Sequence, residues 1–119
     1  MAEATIGAAI EVHRHMGAGL PEVSYKRALS HELSLRGIPH DCEVRVPLVY
    51  KGIPVGEEFI DILVGGRLVV ELKVVEHLTE VHRAQVIAYL SATGVQLALL
   101  INFNVALLRD GIKRVIQTS

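Results

Sequence analysis

Ile6, Ala9, Ile10, His13 and Met16 recur at helical spacing, and Gly17 and Gly19 end that first helix. A second helix begins near Pro21, a residue suited to a first helical position, and runs to Arg36 with Gly37 as its terminator. The period then changes. Residues 42–50 alternate as a strand does, and Pro47 marks this one as an edge strand or gives it a bulge. Lys51-Gly52-Ile53-Pro54 reads as a turn. Residues 57–64 and 67–75 are rich in β-formers and flank Gly65-Gly66, so a hairpin follows. Thr79 has the look of an N-cap, with Glu80 in the first turn of a helix that reaches about Thr93 and stops at Gly94. Val95 to Ile101 is a near-continuous apolar run, as in a strand covered on both faces. A short last strand covers Ile112 to Ile116 after an Asp110-Gly111 turn. The predicted order is two helices, three strands, a helix and two strands. That is an α/β chain with a mixed sheet flanked by helices. Strand 68–75, the following helix and strand 95–101 make a right-handed β-α-β unit with parallel strands.

The register of the hairpin decides what its polar residues can do. A two-residue turn at Gly65-Gly66 would mix charged and aliphatic residues on both faces. A three-residue turn, 65–67, sets Val64 against Leu68, Ile62 against Val70 and Ile60 against Leu72, so that one face is wholly apolar. Hydrophobic pattern sets register, because a slip of one residue sends every side chain to the wrong side. The three-residue turn is therefore predicted, with a glycine at its left-handed position. The other face then carries Phe59, Asp61, Val69, Glu71 and Lys73, with Asp61 opposite Glu71. Directly opposed Cβ atoms lie about 4.5–5.5 Å apart. Two half-buried acids that close are tolerated when a cation bridges them. Asp61 and Glu71 are thus candidate ligands of a divalent metal, and Lys73 is suited to orienting an attacking water. The plain alternative is a surface ion pair of Lys73 with one acid, which contributes little.

Composition narrows the class. At 119 residues one domain, 1–119, is expected, and with 50% hydrophobic residues it can bury a core. The longest apolar run is too short to span a bilayer, and no signal peptide is visible at the N-terminus. The single cysteine, Cys42, excludes an internal disulfide and fits a reducing compartment, so a cytoplasmic location is expected. A net charge of −1 argues against tight non-specific binding to long nucleic acid.

Other residues are ambiguous on spacing alone. Gln85 and Tyr89 share a helix face and could reach a phosphate or a metal-bound water; equally, they could be an ordinary amphipathic surface. Glu22 and Tyr25 lie in the first turns of the second helix, where Glu22 is either a third carboxylate for the metal or a favourable charge at a helix N-terminus. The six histidines form no zinc pattern and read as mostly solvated, and Cys42 as a small strand residue rather than a nucleophile.

In combination these residues resemble a known family. Gly19-Leu-Pro-Glu22-Val-Ser-Tyr25 reproduces the motif of the GxxExxY proteins within the PD-(D/E)XK nuclease superfamily. Asp61 followed by Glu71-Leu72-Lys73 reproduces the D…ExK core, and Gln85-Val-Ile-Ala-Tyr89 resembles the QxxxY element of several branches. Leu100-Ile-Asn102-Phe103 is similar to the closing strand. Ile60 stands where the superfamily name has Pro. The resemblance implies a restriction-endonuclease-like core. It implies Asp61, Glu71 and the backbone carbonyl of Leu72 as magnesium ligands, with manganese as a substitute. It implies Lys73 as the residue that positions water, Glu22 as an auxiliary acid, and Gln85, Tyr89 and Tyr25 beside the substrate. The expected activity is metal-dependent hydrolysis of DNA or RNA. The alternative is a binding or assembly module that keeps the fold without the chemistry, and a homodimer would suit so apolar a short chain.

Overall fold

Ala2, Ala8, Ala9 and Val12 form the buried stripe of α1 (Ala2–Met16). Small residues on that stripe let α1 approach α2 (Glu22–Leu35), which buries Tyr25, Leu29 and Leu33 at four-residue intervals. The structure, a computed structural model, describes residues 1–117. Pro21 stands just outside α2 as its cap, at φ −62° and ψ 146°, one residue short of the helical position expected for it. Its ring holds φ near the helical value and leaves ψ free to be extended.

The strands are β1 (His40–Tyr50), β2 (Ile53–Val64), β3 (Leu68–Lys73), β4 (Leu97–Asn102) and β5 (Ile112–Ile116). They form one sheet in the order β1-β2-β3-β4-β5. β3 and β4 are parallel, joined by α3 (Glu80–Thr93); the other pairs are antiparallel. The mixed sheet flanked by helices expected from the pattern is therefore present. β1 is an edge strand, which accommodates Pro47 without a lost ladder bond in the sheet centre. The β1–β2 turn is tighter than the sequence suggests. β2 already begins at Ile53, and Pro54 pairs with Val49 beside a register shift at Leu48/Val49.

Alternation along the strands splits the core into two layers. Ile62, Val64, Leu68, Val70, Leu72, Leu99 and Ile101 face α1 and α2. Ile60, Val69, Ala98, Leu100 and Val115 face α3. β4 contributes to both, which is why its sequence is a continuous apolar run.

Three histidines are built into this framework rather than left in solvent. His82 accepts from the Thr79 backbone N–H at 3.0 Å and closes a capping box on α3, while Gly94 ends that helix at φ 76°. His13 is buried with Nε2 2.9 Å from the Val105 carbonyl. The His40 ring bridges Ser30 Oγ and the Ile38 carbonyl at 2.8 and 2.9 Å. Helix caps and buried carbonyls need partners, and an imidazole offers a nitrogen for each.

Gly111 shows how tightly β5 is set. A Cβ there would meet the Asn102 carbonyl oxygen at 2.2 Å. Gly111→Ala is expected to cost about 3 kcal/mol and lower Tm by roughly 10 °C. A thermal melt checks this; an unchanged Tm would mean that the loop yields without strain.

Candidate active site

The three-residue turn expected from the sequence is present. Val64 pairs with Leu68, Leu63 with Val69 and Ile62 with Val70, and Gly65 and Gly66 both have positive φ. At that point the backbone ladder between β2 and β3 ends. The direct pairs expected next, Asp61 with Glu71 and Ile60 with Leu72, do not form. Two side-chain bonds replace them. The Asp61 backbone N–H donates to Glu71 Oε1 at 2.8 Å, and the Leu72 N–H donates to Asp61 Oδ2 at 2.9 Å. The strands fork, and the carboxylates fill the opening. Buried N–H groups must be satisfied; here the acids do it, so the fold itself fixes their positions.

The fork has a second cause on the other side of β2. Cys42 pairs with Ile62 and Val44 with Ile60, while Glu43 between them has a left-handed φ of 53°. Across this irregularity the chain changes face. Ile60 joins the α3 layer, so it does not extend the apolar face of Ile62 and Val64 as the hairpin pattern suggests.

Asp61 is 9% exposed and Glu71 3%. Burial, and then the charge of Asp61, push the Glu71 pKa up to about 8. Glu22, at the first turn of α2, is raised by burial and next by Asp61. Its position near the acids is thus felt electrostatically. Lys73 Nζ donates to Gln85 Oε1 at 3.0 Å. Tyr89, one turn further along α3, is buried; its pKa is raised by burial and then by the Glu71 charge. Asp61, Glu71, Lys73 and Gln85 are joined by hydrogen bonds and charge, with Tyr89 beside them and Leu72 held between the two motif residues. Glu22, exposed at the first turn of α2, feels the Asp61 charge without joining the acids in a cluster of three.

Tyr25 is not in this group. It is 0% exposed, stacked on Phe103 at 4.6 Å between ring centroids. Its hydroxyl donates to the Gly17 carbonyl at 2.5 Å and accepts the Leu20 N–H at 3.2 Å. A substrate contact, suggested by its place beside Glu22, is closed to a side chain so placed. Tyr25 instead fastens the 17–20 loop that leads into Glu22.

Lys26 was not read as part of the site in the sequence, and Asn102 only as part of the closing strand. Lys26 Nζ lies 3.4 Å from Asp61 Oδ1 and bonds Glu43 Oε1. Burial opposes its charge, but Glu43 and Asp61 outweigh burial and raise its pKa. Its spacing of four from Glu22 on α2 was the available signal. Asn102 is buried and accepts the Val75 and Asn104 N–H groups while donating to the Val75 carbonyl. It ties the end of β4 to the segment that leaves Lys73.

The donor set suits a hard cation. Asp61 Oδ1 and Glu71 Oε2 are the carboxylate oxygens not engaged by backbone N–H groups. Two like charges in a buried fork favour a divalent ion between them. Among the described residues no group of three or more His, Cys, Asp or Glu side chains forms a cage. A cation bound here would rest on two acids and keep several waters, which is the habit of magnesium.

Residues 1–115 match the family model of the PD-(D/E)XK nuclease superfamily. The chain belongs to the PD-(D/E)XK nuclease superfamily. Neither a curated protein nor a solved structure is found to match it. The mixed sheet between helices agrees with the restriction-endonuclease-like fold of this superfamily. Membership points to nuclease chemistry on nucleic acid, and PD-(D/E)XK nucleases generally use divalent metals. Among the described residues no helix is long and apolar enough to cross a membrane. A large cavity of this PD-(D/E)XK domain, about 550 Å³, lies elsewhere, between α1 and residues 105–109, and holds none of the acids.

Proposed function

We propose that this chain is a metal-dependent nuclease that hydrolyses phosphodiester bonds of DNA or RNA. Within its superfamily we assign it to the GxxExxY proteins, on Gly19, Glu22 and Tyr25. The observation that carries the reading is the fork: two carboxylates stand in for ladder carbonyls and are held beside a lysine. Asp61, Glu71 and the Leu72 carbonyl would hold Mg²⁺, or Mn²⁺ in its place. The ion would neutralise charge on the phosphate and lower the pKa of a bound water. Lys73, steadied by Gln85, orients the attacking water. Glu22 adds a third acid at the edge, and Gln85 and Tyr89 lie on the α3 side where a phosphate would approach. The cytoplasm is the compartment we assign, on the single free cysteine.

A second reading is a binding or assembly module, homodimeric or not, that has lost the chemistry. The near-neutral charge of −1 favours it, because nucleic-acid binders normally carry a basic excess. One comparison separates the two. Wild type is expected to cut a mixture of DNA and RNA substrates with Mg²⁺ or Mn²⁺, and Asp61→Ala to lose cutting by about a thousandfold. Wild type that neither cuts nor binds metal at millimolar concentration would leave only the module.

A further inference from the structure

Lys26 lies outside the D…ExK and QxxxY elements, yet its ammonium sits on the Asp61 oxygen that no backbone N–H engages, at 3.4 Å. Its other partner is Glu43, whose left-handed backbone is costly for a residue with a Cβ. Such strain is retained where the side chain must point one way, and here it aims a carboxylate at Lys26. A cavity of about 370 Å³ opens on this pair and is lined also by Arg27 and Ser30. Arg27 is exposed and has no ion pair among the described residues. Two cations thus border one cavity on the α2 side of the fork. A divalent ion on that oxygen would compete with the ammonium for it, because the two cations repel.

We propose that Lys26 and Arg27 form a phosphate-binding subsite, in which Lys26 neutralises Asp61 until a divalent cation takes that oxygen and then binds a backbone phosphate of the nucleic acid. This rests on the nuclease reading of the fork. The flexible four-carbon stem of lysine allows the exchange, and Glu43 holds the ammonium at the mouth of the cavity between its two partners. Arg27 offers a planar fork of donors to the same phosphate or its neighbour.

The test separates metal from phosphate. In Mn²⁺ calorimetry, Lys26→Met is expected to bind about fivefold to tenfold more tightly than wild type, because the competing cation is gone. Binding of a short single-stranded oligonucleotide with Mn²⁺ is measured by anisotropy in the Lys73→Ala background. There Lys26→Met and Arg27→Gln are each expected to weaken binding about tenfold. Each should lower the slope of log K against log salt by about 0.7, the value for one lost contact to a single strand. Lys26→Arg should restore the slope, which a merely structural role would not require. Mn²⁺ affinity unchanged or weaker in Lys26→Met, or salt slopes equal to the parent, overturns the subsite. If Asp61→Ala abolishes Mn²⁺ binding while Lys26→Met leaves it unchanged, the subsite alone fails. If neither wild type nor Lys26→Met binds Mn²⁺, the nuclease reading fails with it.

Discussion

Metal-free protein carrying Glu71→Gln is expected to be more stable than wild type at pH 9 and equal to it at pH 4. The Glu71 carboxyl is held in a fork with almost no exposure, and its pKa is raised from 4.5 to about 8, by burial first and by Asp61 second. A folded value above the unfolded one means that the folded state prefers the protonated acid. The stability contributed by that preference is complete below about pH 4.5 and is lost as pH rises through about 8. At about 1.4 kcal/mol for each pH unit, the loss reaches a few kcal/mol at most. Gln keeps the acceptor for the Asp61 N–H and cannot ionise, so it avoids the loss. Its cleavage should fall by about a thousandfold, because one of the two carboxylates proposed to hold the metal is gone. Chelated samples melted across the pH range provide the check. Adding Mg²⁺ to wild type should raise its Tm at pH 8 and narrow the gap, since a ligand of the folded state alone stabilises it. A wild type whose Tm relative to Glu71→Gln does not move between pH 4 and pH 9 would show that the acid is not strained by burial.

The three-residue turn between β2 and β3 was legible because strand periodicity is strict: once Ile62, Val64, Leu68 and Val70 are required to share a face, the turn length follows. The expected pairing nevertheless ran two residues too far. Periodicity describes a continuous ladder, and the ladder ends where side chains take over its bonds. The change of face at Ile60 depends on the left-handed φ of Glu43 on a neighbouring strand. No local pattern around Ile60 encodes that. Tyr25 was visible as a motif residue, but its spacing alone does not say whether the hydroxyl faces solvent or, as it does, the Gly17–Leu20 loop. Lys26 was hidden for a different reason. Its partners, Glu43 and Asp61, are 17 and 35 residues away, so the spacing of four from Glu22 marks its helix face and the packing of α2 on the sheet supplies the contacts. The helices and β5 were readable to within a few residues, since caps and glycines mark them directly. His82 as a cap escaped because a histidine is not the residue that the capping-box pattern calls for at that place.

Lys73→Ala is expected to lose cleavage by about a thousandfold while leaving metal affinity within about threefold of wild type. The two effects separate because the lysine and the acids do different work. Glu71 and Asp61 are fixed by backbone N–H groups at 2.8 and 2.9 Å, and neither bond involves Lys73. Removing the ammonium leaves both carboxylates in place. It does remove a positive charge that lowers the Glu71 pKa, so metal binding in the variant should shift slightly toward higher pH. On the proposed mechanism, the attacking water, by contrast, loses the group that would orient it. Gln85 positions Lys73 through a single 3.0 Å bond and is expected to matter less: Gln85→Ala should slow cleavage about tenfold, with Lys73 still present but less confined. Calorimetry with Mn²⁺ and a single-turnover cleavage assay on the same samples read the two quantities separately. Cleavage at the wild-type rate in Lys73→Ala would remove the lysine from the reaction. Metal binding lost together with cleavage would mean that Lys73 serves to hold the fork rather than to handle water.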